Sequence, residues 1–495
     1  MGPQVAAVAA GSRPTAGAAA TVLRAGGNAV DAAVAAGFTA AVAEPGLSSL
    51  GGGGFALLRH PDGAHELLDF FVDAPGRGLS APNRTPHFTP VVVQFAGAEQ
   101  VFHAGWGSVA VPGCLAGYLR LHRDHGRLPL GAITAPAAAA ARDGVAAEPA
   151  QVDVLRLLTG IVELTPQGRR LLGPAATAEP GAEVVLRNDE YATFLDAVAA
   201  GLVDGFGSQP YADALAATMA DHHGLVTLAD LVAYEPSRRE PLVTEYLTAR
   251  VATNAPPSFG GAILVDALES LARSRDAASP GAQSNGTAAR DLVAALADAT
   301  QRRKQDAGAA PQSTRGTTHI SVVDGDGLMV SMTTSNGSCS GVFVPGTGVQ
   351  LNNVLGERDL HPAGFHAVAP GTRIGSMMAP SVVELPDGSV VALGSGGSER
   401  IRSALLQTVV RLVDGADLGV AVGTPRLHWD GVQVQAEPGL PASVLAAVGE
   451  LGPVNEWPAP DLYFGGVQAV RRHPDGSVEA VGDPRRGGVG LVVEV

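Results

Sequence analysis

A threonine hydroxyl set directly after a glycine, at the head of an alternating apolar run, is the feature of this chain with most chemistry in it. The segment reads Gly316-Thr317-Thr318-His319-Ile320-Ser321-Val322-Val323-Asp324. If the backbone is cut between Gly316 and Thr317, Thr317 gains a free α-amine beside its own hydroxyl. An α-amine has an unperturbed pKa of about 7.7–8, so a useful fraction is neutral near neutral pH. It can then take the hydroxyl proton, which puts nucleophile and base in one residue. Gly316 suits such a junction because it reaches backbone angles closed to other residues. The same residues also read as an ordinary strand holding two threonines, a type common in β-structure.

The elements that must position Thr317 follow from periodicity and punctuation. Pro14 to Arg24 is predicted as a helix stopped by Gly26-Gly27, and Ala29 to Ala43 as a small-residue helix closed by Glu44-Pro45. Gly51 to Gly54 precede a hairpin, Phe55–Leu58 and Leu67–Phe70, turned at Pro61 to Gly63. No Lys-Ser/Thr follows the four glycines, so they imply close backbone packing and not a phosphate cradle. Helices are expected at Pro112–Arg123 and Tyr211–Met219. Polar residues 272–290 read as a surface loop, and residues 305–316 as an exposed, adaptable approach to Thr317. Strands are expected at Ile320–Val323, Leu328–Thr333, Val349–Leu351, Ser381–Leu385 and Val390–Leu393, then a helix at Arg402–Leu412. Helices first and strands later favour a layered α/β sandwich.

Composition bounds the function. With 46% hydrophobic and 16% charged residues in 495, the chain can bury a large core. A net charge of −15 argues against nucleic-acid partners, which call for a basic surface. Cys114 and Cys339 make neither a disulfide framework nor a metal pair and read as isolated buried thiols. His222-His223 reads as a helix C-terminus, and His361 and His366 as structural, so no metal or cofactor is expected. No targeting segment and no run of about 20 apolar residues is visible, so the expectation is a cytoplasmic protein without a membrane partner.

Nine short segments in chain order carry a resemblance. They are Ala25 to Val34, Leu50 to Phe55, Val111-Pro112-Gly113, Gly224 to Leu231, Asn254 to Gly261, Thr317-Thr318-His319, Leu351-Asn352-Asn353, Ser376 to Pro380 and Gly394 to Gly397. Over nearly its whole length the chain resembles the γ-glutamyltransferase family, the threonine branch of the N-terminal-nucleophile hydrolases. The resemblance implies an α/β (α+β) fold, a four-layer αββα sandwich made as one precursor. It implies self-cleavage before Thr317 into residues 1–316 and 317–495, two interleaved chains forming one structural domain. The substrate implied is a small-molecule amide or γ-glutamyl-like compound, with water or an amine as acceptor.

Roles follow from the same resemblance. Thr317 is the nucleophile that forms an acyl-enzyme, and Gly396 and Gly397, with the Ser398 amide, hold the oxyanion. Such donors contribute about 3–4 kcal/mol each. Ser335 matches a hydroxyl that contacts the nucleophile, a turn-forming serine being the alternative. Asn336 matches a substrate-contacting asparagine, Glu357 an acid that grips the substrate α-amine, and His319 a packed strand histidine. The substrate clamp departs from the pattern. Phe71 stands where the family has an arginine for the substrate α-carboxylate, Val354 replaces an amide, and Met377 replaces one of two serines, leaving Ser376. Arg77 and Arg373 are candidate replacement cations. Poor use of standard γ-glutamyl donors is expected, with Phe71→Arg restoring it. Three readings follow: a hydrolase or acyltransferase of altered acyl specificity, an alkylproline-type secondary-metabolism homologue hydrolysing a carbon–carbon bond, or an unprocessed non-catalytic member.

Overall fold

The computed structural model describes residues 4–80, 85, 87–95, 98–277, 285–307, 316–357, 360, 361, 364, 365 and 367–495. Thirteen strands build its two large sheets: β1 (Val5–Ala10), β2 (Gly53–Arg59), β3 (His65–Phe70), β4 (Ser237–Arg239), β5 (Leu242–Tyr246), β6 (Ala249–Thr253), β7 (Gly316–Val323), β8 (Met329–Gly337), β9 (Ser381–Glu384), β10 (Val390–Gly396), β11 (Gly466–Arg472), β12 (Val478–Val481) and β13 (Val489–Glu494). One sheet runs β13-β1-β7-β8-β2-β3-β4 and the other β12-β11-β10-β9-β6-β5. Neighbours pair antiparallel throughout both sheets. Helices α1 (Arg13–Arg24) and α2 (Ala29–Ala43) cover the first sheet. On the second lie α3 (Gly260–Ala277) and α5 (Arg400–Val413), with α4 (Asn285–Ala307) against α3. The result is the expected αββα sandwich.

Side-chain alternation assigns each strand two faces. Ala6, Val8 and Ala10 of β1 join Ile320 and Val322 of β7 in the core beneath α1 and α2. Ala7 and Ala9 turn to the core between the sheets, which Val323, Val391 and Leu393 share. Every residue of α2 except Ala41 is buried, which its small side chains permit, and an Asn28–Asp31 capping box starts it. The glycines at Gly51 to Gly54 are there for packing: a Cβ on each would meet backbone of Gln350, Ser335, Val72 or Thr333. Hydroxyls fasten the two sheets together near their centre. Ser331 Oγ donates to Leu393 O at 2.9 Å, and Ser321 Oγ to Gln468 O at 3.1 Å. These bonds fix β7 and β8 against β10 and β11.

Three expectations change. Residues 272–277 and 285–290 are helical, the end of α3 and the start of α4, where Arg273, Ser274 and Asn285 face solvent; residues 278–284 lie outside the described residues. Val349–Leu351 forms only isolated bridges, Phe343 with Gln350 and Gly51 with Leu351. Gly346 and Gly348, at φ +72° and +64°, turn the chain there and prevent a longer ladder. Residues 305–307 end α4, while 308–315 and His366 fall outside the described residues.

Candidate active site

Thr317 sits on a β-bulge. Gly316 pairs with Gly337 and Thr318 with Thr334, which leaves Ser335 and Asn336 opposite Thr317. A bulge re-aims a side chain out of the ladder, and here it directs the Thr317 hydroxyl toward Ser335. Thr317 Oγ1 donates to Ser335 Oγ at 3.3 Å. Ser335 Oγ in turn donates to Gly316 O at 2.6 Å and accepts from the Gly337 N–H at 3.1 Å. One serine hydroxyl therefore touches both the threonine hydroxyl and the carbonyl of the preceding peptide. The segment after α2 packs on this junction so tightly that a Cβ at position 316 would strike Gly46 O and Gly337 O. Only glycine fits.

A second loop closes on Thr317 from the other sheet. Gly396 ends β10, and a Cβ there would collide with Thr317 O. Gly397 has φ +119° and Ser398 φ +53°, after which the chain enters α5. The positive end of that helix dipole is directed back at the loop. Arg486, which no sequence pattern singled out, stands beside both glycines: its Nη1 lies 3.1 Å from the Cβ site of Gly396. Burial and the neighbouring Arg400 bring its pKa down to about 10.

The remaining candidates divide. Glu357 is buried with Oε1 2.8 Å from the Cβ site of Gly337, so its carboxylate stands beside the strand position opposite Gly316. Asn336 is fully buried, and its side-chain amide makes no hydrogen bond to a described nitrogen or oxygen. Ser398 Oγ is likewise buried and makes no hydrogen bond among the described residues. Ser376 braces structure: its Oγ accepts from the Met378 N–H at 3.1 Å and its carbonyl from the Phe259 N–H at 2.8 Å. Phe71 is a core residue, 2% exposed and stacked on Phe55 at 5.6 Å, so it is not an open wall facing a substrate carboxylate. The two candidate cations differ, since Arg373 is buried in ion pairs and Arg77 is exposed. Arg373 is locked to Asp69 at 2.8 Å and Asp73 at 2.7 Å and packs over the Tyr234 ring, while Arg77 leans on Asp230.

His319 is a packed strand histidine. Its Nδ1 meets Thr333 Oγ1 at 2.7 Å and its Nε2 meets Ser321 Oγ at 2.9 Å. Burial pushes its pKa down to about 3, so it is neutral at ordinary pH. Glu44, read from sequence only as a helix stop, is buried under β7 and accepts from Thr15 Oγ1 at 2.6 Å and Thr318 Oγ1 at 2.5 Å. Desolvation raises its pKa, with the Thr15 and Thr318 hydroxyls pulling the other way. Both cysteines are buried free thiols. Among the described residues, no group of three His, Cys, Asp or Glu could hold a metal ion and no helix is long and apolar enough to cross a membrane.

Residues 15–309 and 285–493 match the family described as Gamma-glutamyltranspeptidase. The acylase ACY 1 proenzyme of Pseudomonas sp. (strain SE83) is 30% identical over 500 residues, spanning 93% of this chain and 88% of the relative. The glutathione hydrolase proenzyme of Escherichia coli (strain K12) is 27% identical over 519 residues, spanning 94% and 87%. The crystal structure of cephalosporin acylase from Bacillus halodurans superposes with a TM-score of 0.82 at 26% identity, covering 99% of this chain and 96% of that one.

Proposed function

The chain belongs to the γ-glutamyltranspeptidase family, and from that premise we propose that it is a self-processed amide hydrolase or acyltransferase whose nucleophile is Thr317. The contact of Ser335 Oγ with both Thr317 Oγ1 and Gly316 O carries this reading. In the precursor, Ser335 polarises the Gly316 carbonyl while the Thr317 hydroxyl attacks its carbon. The C–N bond breaks, the acyl group passes to Thr317 Oγ1 as an ester, and water releases it as the Gly316 carboxylate. Thr317 is left with a free α-amine.

In turnover that amine takes the hydroxyl proton as Oγ1 adds to the substrate carbonyl. Backbone N–H groups of Gly396 and Gly397 hold the oxyanion, a position supported by the packing of Gly396 on Thr317 O and by the positive end of α5. The ammonium returns its proton to the departing amine, and water or another amine resolves the acyl-enzyme. The relatives, an acylase and a glutathione hydrolase, support small-molecule amides as the substrate class. Altered acyl specificity is supported by the locked Arg373 and the buried Phe71.

Purified protein on a denaturing gel should give two bands, with Thr317 as the new N-terminus of the smaller. Thr317→Ala should abolish both cleavage and turnover. A fully active enzyme that stays one intact chain would overturn the mechanism.

A further inference from the structure

A cavity of about 430 Å³ opens in the helical layer outside the second sheet, among α3, α4 and α5. That is the size of a site for a small organic molecule. Leu271, Leu292, Val410, Leu427, Leu440 and Val444 supply its apolar wall. Leu271 and Leu292 come from α3 and α4, before Thr317, and the other four follow it. The cavity therefore lies on the seam between the two halves of the chain. None of its lining residues belongs to the Thr317 site. Arg411, which lines it, stands about 16 Å along α5 from Arg400, where the oxyanion loop enters that helix.

The charges around this cavity do not cancel. Arg275 and Asp414 pair across the seam through two bonds, at 2.5 and 2.9 Å, and Asp291 pairs with Arg290 at 3.2 Å. Among the described residues Arg411 has no carboxylate partner. Its Nη2 donates to Pro425 O at 2.9 Å and its Nη1 to Ala421 O at 3.4 Å, both neutral carbonyls. Beside it, Arg426 takes Asp483 at 2.5 Å and Arg485 takes Glu437 at 2.6 Å. Three cations thus share two carboxylates. Burial, with Arg426 and Arg485 close by, brings the Arg411 pKa down to about 10. A half-buried guanidinium in this state gains from a ligand anion through charge-assisted hydrogen bonds. Helix α4 begins at Asn285 on the same cavity, so the positive end of its dipole also lies there.

We propose that this cavity is a second small-molecule site, taking one amphipathic monocarboxylate with its chain along the apolar wall and its carboxylate on Arg411. A single negative charge matches the one cation left over, and an extended apolar body matches the wall. A molecule touching α3, α4 and α5 together braces the two halves of the chain against each other.

Isothermal titration calorimetry on the purified enzyme tests this with octanoate, and with octanol as the neutral molecule of the same chain length. Octanoate should bind one per enzyme and about tenfold or more tighter than octanol, the size of one hydrogen bond to a charged group. Arg411→Gln keeps donors for the two carbonyls and should bring the two affinities together, whereas Arg411→Lys should keep part of the preference. Ala288→Trp, at a half-buried position of α4 on the cavity, should fill the space and weaken both ligands. No heat of binding at millimolar octanoate would overturn the proposal, as would equal affinity for octanoate and octanol. Octanoate binding that survives both Arg411→Gln and Ala288→Trp would place the ligand elsewhere and overturn it too. Should Arg411→Gln fail to fold, the preference of the unmodified enzyme and the loss of binding in Ala288→Trp decide the matter.

Discussion

Ser335 touches both groups that the proposed self-cleavage joins, and substitution there reads out those contacts. Ser335→Ala removes the donor to Gly316 O and the acceptor for Thr317 Oγ1 and the Gly337 N–H. Loss of one such donor costs about 10²–10³ in rate. Self-cleavage of Ser335→Ala should slow by that order, seen as persistent precursor on a timed gel, and unchanged kinetics would remove Ser335 from the mechanism. Phe71 gives a prediction opposite to the sequence expectation. An arginine there would bury a second cation close to Arg373, whose Nη1 already takes the Phe71 carbonyl at 2.8 Å and Asp69. An uncompensated buried charge costs about 3–5 kcal/mol. Phe71→Arg should therefore lower the melting temperature and restore no activity on γ-glutamyl anilides. The sequence revealed the residue types but not the direction of this side chain: one position separates Phe70, beneath the helices, from Phe71, between the sheets.

At the scale of an element, strand β7 is a run of polar and apolar residues buried along its whole length, and its polar members set a pH dependence. His319 is neutral in the fold because burial depresses its pKa from 6.5 to about 3. The unfolded chain takes up a proton first as pH falls, so this histidine's contribution is full above pH 6.5 and is lost progressively toward pH 3. Each unit is worth about 1.36 kcal/mol, or about 2 kcal/mol between pH 6.5 and pH 5. Glu44 acts with the opposite sign. Its raised pKa means its contribution is present below the ordinary value of 4.5 and lost as pH rises through the folded value. Denaturant unfolding of the uncleaved Thr317→Ala chain should lose stability from pH 6.5 to pH 5, and adding His319→Gln should flatten that loss. An unchanged slope would mean the ring is not neutral in the fold. These strands were legible from alternation and turn residues. The ends of α3 and α4 were not, because a solvent-facing helix surface and a loop share the same polar composition. Arg486 left no local signal either, since it reaches Gly396 only through the return of the chain from β11 to β13.

Across the whole molecule, both sheets mix strands from the two sides of the Gly316–Thr317 bond. In the first, β7 and β8 lie between β1 and β2, and the C-terminal β13 pairs along all of β1. In the second, β6 pairs with β9, so residues before and after Thr317 again share one ladder. The nine sequence segments gave this architecture in outline, because their order matched a fold in which one chain is threaded through the other. What they could not give was the interlock itself, a matter of which edges pair. Residues 317–495 expressed alone would expose the edges of β7, β8 and β9 that residues 1–316 cover, an invitation to aggregate. Cutting one peptide bond after folding removes none of these pairings. The processed chains should therefore run as a single species on native gel filtration and separate only in denaturant. The same two chains expressed from separate messages, with Thr317 as the first residue after methionine removal, should give far less soluble enzyme than the self-cleaved precursor. Equal yields would mean that the halves fold independently and dock, and that the precursor serves only to protect the threonine.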